Sequence, residues 1–463
     1  MFEVFETVLG RCSNLGASYI ELRGESGFQE YIQMDDEKIS ALTQRIEKGV
    51  AVRALVDGAW GFVSTSSLNK LDEAIEDAFK MAKVVAKNRR EPVKIADTRI
   101  YKDSIESRAK EDPRNVPISD KIGYLKNIHR IIRDFDERIK AVTVKLRTAS
   151  GVKYLLTSEG TKIESPVNLI WVYTWVTGKE SKRLSAGRHE ESSTHEGWEF
   201  VQKKATPKKI GELVANRVVM QLEGVPAKAG TFPCVLGPRV VGVLAHEALG
   251  HLAEADLTVN SSFNGKIGKT VAAPGVSMTD DGTLKGVLGS SKYDDEGVET
   301  SRVEIIKDSV LNEIMTNREY AAKLNLRLTG NARAESFLHP PIIRMRNTFF
   351  EEGDLSFDEM LEDIKFGYYC TDFRGGQAQS NASFQVGIQE AYEIINGKLG
   401  NPVTDLSISG IATDALFKIT GVGRIEDRIW ETGRCGKGQE VFVASGGPDI
   451  MFEKGGITFG GKT

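Results

Sequence analysis

The sequence predicts an α+β fold: an N-terminal α+β domain of antiparallel strands and helices, then a strand-rich C-terminal domain that carries one histidine-bearing helix. Three observations predict it. Residues 17–65 and again 141–176 alternate apolar and polar side chains at the period of a strand. Stretches near 67–90, 120–138 and 207–222 instead repeat apolar residues at helical spacing. The strands and helices come in runs rather than in strict alternation, which argues against a parallel α/β sheet. The boundary is placed at 225/226, giving domains 1–225 and 226–463, with room for a subdivision at the polar stretch 100–116.

Met1 to Leu9 reads as a short amphipathic helix. Strands follow at Ala17 to Arg23, Gln29 to Met34 and Gly49 to Val56, and Asp57-Gly58 turns the last into Ala59 to Val63 as a hairpin. The helix over 67–90 puts Leu68, Leu71, Ala74, Ile75, Ala78, Phe79, Ala82 and Val85 on one stripe. Ser119 is the expected cap of the helix over 120–138, whose His129 is read as a packing or surface residue. Strands are expected at 141–146, 153–157 and 168–176, with His189 and His195 solvent-exposed in an acid-rich segment after them. A helix at 207–222 ends at Gly224. The second half opens with a strand holding Cys234, read as a small core residue. Loops and short strands are expected over 256–300, then mostly strands, with short helices at 357–364 and 411–418 and a hairpin at Asn396-Gly397.

At 463 residues, with 40% hydrophobic and 27% charged, the chain has the composition of a soluble globular protein with ample core. No apolar run is long enough to span a membrane. The N-terminus carries acids where a signal peptide needs basic residues. The four cysteines form no CxxC pair, so the expected location is the reducing cytoplasm. A net charge of −4 and the lack of a basic stripe argue against nucleic acid as a partner.

Chemistry concentrates in Val240-Val-Gly-Val-Leu-Ala-His246-Glu247-Ala-Leu-Gly-His251-Leu-Ala-Glu254, read as a helix over 238–255 that begins at Pro238. Two histidines with a glutamate beside the first could hold zinc and activate water. The usual zinc-protease spacing is i, i+4, about 40° apart on an α-helix. Here the spacing is i, i+5, about 140° apart, too far for one tetrahedral ion. Two readings stand: the histidines have unrelated roles, or the helix widens locally as a π-bulge that returns the rings to one side. Gly250 would ease that widening.

A catalytic zinc site needs a third protein ligand and one open position. Glu254, Asp256, His339, Cys370 and Cys435 are candidates. Glycines flank Cys435 in Thr432-Gly-Arg-Cys-Gly-Lys-Gly-Gln439, and Arg434 and Lys437 are expected to favour its thiolate. The segment is no phosphate loop, because it lacks the upstream Gly and ends Lys-Gly instead of Lys-Ser/Thr.

His246-Glu-Ala-Leu-Gly-His251 resembles the HExxxH signature of the TldD/PmbA metallopeptidases, in their catalytic TldD branch. Gly330-Asn-Ala-Arg-Ala-Glu-Ser-Phe-Leu-His-Pro-Pro-Ile-Ile-Arg-Met-Arg-Asn347 resembles the family's downstream block, and Thr432 to Gln439 its cysteine block. Gly49 to Arg53 and Asp57 to Phe62 also fit. The resemblance implies a zinc ion held by His246, His251 and Cys435, with Glu247 as catalytic base. It implies hydrolysis of unfolded or unstructured peptides, in a homodimer or in a heterodimer with a PmbA (TldE)-like subunit. His339 falls in the matched block and is a candidate for supporting the oxyanion, with loop fixing as the competing role. Glu254 and Asp256 are expected to support the ligand histidines. Two rival functions remain: a non-catalytic peptide-binding subunit, against which the intact His-Glu-His set counts, and a regulator of a DNA enzyme, against which the acidic balance counts.

Overall fold

The computed structural model describes residues 1–12, 16–379, 381–425 and 429–461. It is α+β. One seven-stranded sheet gathers the strands between residues 19 and 193. From one edge they run Ala59–Thr65, Lys38–Val56, Tyr19–Asp35, Ile139–Thr157 and Lys162–Glu180, the last pairing both Arg183–Ser193 and the short Lys102–Ser104. All these pairings are antiparallel except that of Lys102–Ser104. Asp57 and Gly58 both adopt positive φ, as a two-residue hairpin requires. The two strands expected at 141–146 and 153–157 are one strand, because pairing with Tyr19–Asp35 continues across Ser150-Gly151.

Period-two alternation gives this sheet two different faces. Ile20, Leu22, Val50, Val52, Ala54 and Val56 meet the helices Phe2–Cys12 and Leu71–Ala86. Ile32, Met34, Val142, Val144 and Leu146 meet Ile118–Phe135 and Pro207–Glu223. The opposite face is covered by the second half of the chain. There Arg53 pairs with Glu296 at 2.7 Å, and Arg318 forks onto Glu159 with two bonds of 2.8 Å.

Two local expectations are corrected. The helix begins at Ile118 with Pro117 at its N-cap, and the Ser119 hydroxyl bonds Asp120 instead of capping. His189 is not solvent-exposed: it lies inside the strand Arg183–Ser193, is 3% exposed, and its Nε2 sits 3.1 Å from Glu191 Oε1. His195 is partly buried with Nε2 2.9 Å from the Val287 carbonyl. That segment is polar enough to resemble a loop, yet its charges are matched by residues far away in sequence, such as Lys209 on Glu191 and Glu431 on Arg188. His129 is buried near Asp36 and Glu37, a packing residue as expected.

The second half contains a ten-stranded and a six-stranded sheet. The buried strand Cys234–Leu236 lies in the first and leads straight into the helix Pro238–Val243, which packs between the two. On one side it meets Phe366–Ala378. On the other it meets the hairpin of Trp430–Gly436 and Glu440–Gly446. A Cβ at Gly242 would come within 2.8 Å of the Gly446 nitrogen, so the helix lies directly on strand backbone there. The helix Arg318–Leu324, which periodicity missed, is capped by Asn317 and ended by Asn325 at φ 53°. The hairpin at Asn396-Gly397 and the short helices Phe357–Leu361 and Ala412–Ala415 form as expected.

Candidate metal centre

The motif helix changes gauge where its chemistry begins. Pro238 occupies the first turn of the α-helix, where its missing N–H costs no hydrogen bond. From Leu244 to Leu249 the helix is π, and the Gly250 N–H donates to the Ala245 carbonyl five residues back. Gly250–Ala253 then tightens into a 3₁₀ turn, and Glu254 is extended. The helix therefore ends at Ala253, close to the expected 255, and the widened turn stands where the i, i+5 spacing calls for it. The His246 and His251 rings consequently meet, with centroids 5.3 Å apart at 76°. Gly250 is required by a close approach: a Cβ there would overlap the Met345 sulfur and lie 3.0 Å from the Ala245 oxygen.

The third donor arrives from the hairpin. Cys435, buried on Trp430–Gly436, places Sγ 3.3 Å from His251 Nε2, and one ligand atom each of His246, His251 and Cys435 lie within 4.8 Å of one another. Two nitrogens and a sulfur bound to one zinc in a tetrahedron would be about 3.3–3.6 Å apart. Both ring nitrogens of His246 are buried without a hydrogen-bond partner. A buried imidazole with neither nitrogen satisfied is costly unless another group, such as a metal, takes a lone pair. The residues present fit zinc.

Without metal the three donors are held together by charge. Burial alone would push the Cys435 thiol up, but His246 and then His251 outweigh it and hold the pKa at about 4. His251 is raised to about 10, against its burial, chiefly by Glu254 and then by Cys435. His246 is raised as well, Cys435 outweighing burial. Arg434 and Lys437 are not the groups that favour the thiolate: Arg434 pairs with Glu440 at 2.6 Å and lies over Trp171, while Lys437 is bound elsewhere.

Behind the three candidate donors lies a brace. Glu254, fully buried, accepts from His251 Nδ1 at 2.9 Å, which leaves Nε2 to face the centre. Lys437 Nζ reaches Glu254 at 3.1 Å, Asp256 at 2.7 Å and the Ile343 carbonyl at 3.1 Å. Arg344, fully buried, donates to the carbonyls of Cys435 and of Gln439, the latter at 2.7 Å. Arg333 holds the carbonyls of Met345 and Phe442 at 2.7 and 2.6 Å. Arg333 and Arg344 thus clamp the cysteine hairpin from behind. Sequence reasoning missed this role, and its only signal was three arginines within the one block 330–347.

The other candidates fall into place around this centre. Glu247 is half-buried on the π turn, adjacent to His246. Cys370 lies fully buried in the ten-stranded sheet, paired opposite Leu236, and is not in the ligand cluster. The His339 ring meets the Ser336 hydroxyl at 3.3 Å and its carbonyl accepts from Arg23 at 2.5 Å, which anchors its loop to the N-terminal sheet.

Comparison with known proteins adds an independent line. The family model for the PmbA/TldA metallopeptidase C-terminal domain matches residues 229–459, that for domain 1 matches 20–82, and that for the central domain matches 111–222. A metalloprotease of Methanocaldococcus jannaschii is 35% identical over 435 residues, covering 93% of this chain and 94% of that protein. A zinc metalloprotease TldD homolog of Saccharolobus solfataricus is 30% identical over 454 residues, covering 96% and 97%. The crystal structure of TldE from Thermococcus kodakarensis shares the fold, with a TM-score of 0.78 at 18% identity over 99% of this chain and 100% of that one.

Proposed function

The chain belongs to the PmbA/TldD family of metallopeptidases, and from that premise we propose that it is a zinc-dependent peptidase acting on unfolded or unstructured peptides. The observation that carries the reading is the convergence of His246, His251 and Cys435 from a π turn and a distant hairpin, with Glu247 beside the first ligand. His246, His251 and Cys435 hold the ion. Bound zinc supplies a Lewis acid that acidifies water and polarises the scissile carbonyl. The Glu247 carboxylate takes a proton from the attacking water and delivers it to the leaving amide nitrogen. Glu254 keeps His251 in the tautomer whose Nε2 is free to ligate.

Trp430–Gly436 is the outermost strand of its sheet and carries Cys435. An extended peptide added along that edge would be held through its main chain, whatever its sequence, beside the metal. Residues 1–225 and 226–463 act as the two domains of this enzyme, working as a dimer with itself or with a PmbA (TldE)-like chain.

The test pairs metal analysis with proteolysis of an unfolded protein such as reduced casein, for the parent and for Glu247→Gln. The expected result is near-stoichiometric zinc in both and cleavage in the parent alone, with a loss of about 10²-fold or more in the variant. A parent that takes up no zinc when supplied with it overturns the reading, and so does a Glu247→Gln enzyme of parental activity.

A further inference from the structure

The seven-stranded sheet has an unfinished edge. Lys38–Val56 is paired along its whole length with Tyr19–Asp35, but on its other side Ala59–Thr65 covers only Val50 to Val56. Residues 38–49 therefore present a strand edge that no other strand occupies among the described residues. Folded proteins usually keep such edges short, or guard them with proline or a bulge, because a free edge pairs with other chains. This one has no proline, its one bulge is confined to Ser40 near the start of the strand, and from Ala41 to Lys48 it runs regularly while exposing two large apolar side chains, Leu42 at 48% and Ile46 at 81%.

We propose that this edge is the surface through which a second copy of the chain docks, by antiparallel strand pairing about a twofold axis at Gln44, joining the two sheets into one. Among axes at Thr43, Gln44 and Arg45, in the middle of the free edge, the side chains favour a self-complementary pairing, which suits a second copy. In a twofold antiparallel pair, opposed residues share a face, so the axis must pass through a residue. With the axis at Gln44, Leu42 faces Ile46 of the second copy twice over, Glu47 faces Ala41 and Arg45 faces Thr43. Apolar meets apolar, and no like charges are opposed. With the axis at Thr43, Leu42 would face Gln44 and Arg45 would face Ala41, so no apolar pair forms. With the axis at Arg45, two arginines would be opposed at the centre and Leu42 would face Lys48. One register of the three is self-complementary.

The surface also borders the metal centre's surroundings. Thr43 and Arg45, on the sheet face away from the helices, line an open groove of about 430 Å³ whose far wall is Phe442 and Arg434, the neighbour of Cys435. A second copy's strand extends the floor of that groove outward. The proposal rests on the dimer of the preceding section but on none of its zinc chemistry, and it replaces the choice of partners there by a second copy.

The experiment is a cysteine scan with analytical ultracentrifugation. Directly opposed Cα atoms in an antiparallel pair are about 4.5–5.5 Å apart, within disulfide reach, whereas diagonal ones are about 7–8 Å apart. Gln44→Cys is therefore expected to give a covalent dimer on mild oxidation, while Thr43→Cys and Arg45→Cys do not. Leu42→Lys/Ile46→Lys is expected to be monomeric with unchanged circular dichroism and zinc content, its dimer dissociation constant raised by at least 10²-fold. A dimer that survives the lysine pair and gives no Gln44→Cys product overturns this surface while leaving the dimer itself standing. A parent that stays monomeric at tens of micromolar, or associates only with a different chain, overturns the second copy as occupant.

Discussion

Gly250→Ala reverses an ordinary expectation. At an open helical position the change from glycine to alanine stabilises by about 0.5–1 kcal/mol, because glycine loses more backbone freedom on folding. At Gly250 the new Cβ overlaps the sulfur of Met345, which is fully buried, and presses on the Ala245 carbonyl that receives the Gly250 N–H. Forcing a methyl into a packed core costs about 1–3 kcal/mol. The net expectation is a loss of about 0.5–2 kcal/mol, opposite in sign to the generic effect. The strain falls one residue before His251, so zinc affinity should drop by roughly 3- to 30-fold if it is all felt at the metal. Chemical denaturation of the metal-free protein and competitive zinc titration measure the two quantities. Met345→Ala supplies the control: in that background the space is open, and Gly250→Ala should return to being stabilising. The coupling between the two sites would then be about 1–3 kcal/mol. If Gly250→Ala stabilises the parent, or if the two substitutions are additive, the close approach does not hold the π turn and the reasoning fails.

Cys435→Ser replaces a soft thiolate by a hydroxyl and should weaken zinc binding by several orders of magnitude at neutral pH, read by competition with a chromophoric chelator. Arg344→Met leaves the Cys435 and Gln439 carbonyls without their buried donor; we expect a loss of about 2–4 kcal/mol in denaturation and weaker zinc binding, partly restored by Arg344→Lys. His339→Ala separates its two candidate roles: a tenfold or greater fall in kcat at constant zinc content assigns it to the oxyanion, and a change in thermal stability alone assigns it to its loop. The metal-free protein should also show a distinctive pH profile. Cys435 is depressed to about 4 from an ordinary value near 9, so its contribution is present at high pH and is lost as pH falls toward 4. His251 is raised to about 10, so its contribution is full below about 6.5 and is lost as pH rises through 10. Stability should therefore climb from pH 4 to about 6.5, level off, and fall beyond about 9. Cys435→Ala should flatten the acid limb, and an unchanged limb would show that the thiolate does not stabilise the folded state.

Much of this was legible in the chain because the determining signals are local. Alternation gave the strands of the N-terminal sheet, Asp57-Gly58 gave its hairpin, and the stripe on Leu71–Ala86 gave the helix that covers it. The i, i+5 spacing of His246 and His251 posed a choice between no site and a widened turn, and the π turn is what the fold adopts. What remained hidden depends on partners distant in sequence. The strand Arg183–Ser193 passes for a loop until Lys209 and Glu431 pair with its charges and Arg217 donates to the Arg188 carbonyl. Cys435 could not be chosen among five third-ligand candidates by spacing, since it meets His251 across 184 positions. Lys437, expected to act on the thiolate, instead reaches past it to Glu254 and Asp256.

That last contact explains how a site assembled from such distant pieces can be ready for an ion. Two of the proposed ligands ride on one continuous turn, but the third sits on a hairpin that could shift against it. Three connections limit that shift. Arg239, at the start of the motif helix, pairs with Glu431 on the cysteine strand; Arg344 holds the backbone on both sides of the hairpin turn; and Lys437 joins that turn to the carboxylate that orients His251. Each connection is buried or nearly so, so loosening one leaves a charge or carbonyl unsatisfied and not merely solvated. Metal-free and metal-bound proteins should therefore share one arrangement of the three donors. Zinc then binds by replacing the charge pairing among His246, His251 and Cys435, and uptake should release protons without a large change in backbone protection from hydrogen exchange. Extensive new protection across 430–446 on zinc addition would show instead that the hairpin is ordered by the metal and that the brace does not preset the site.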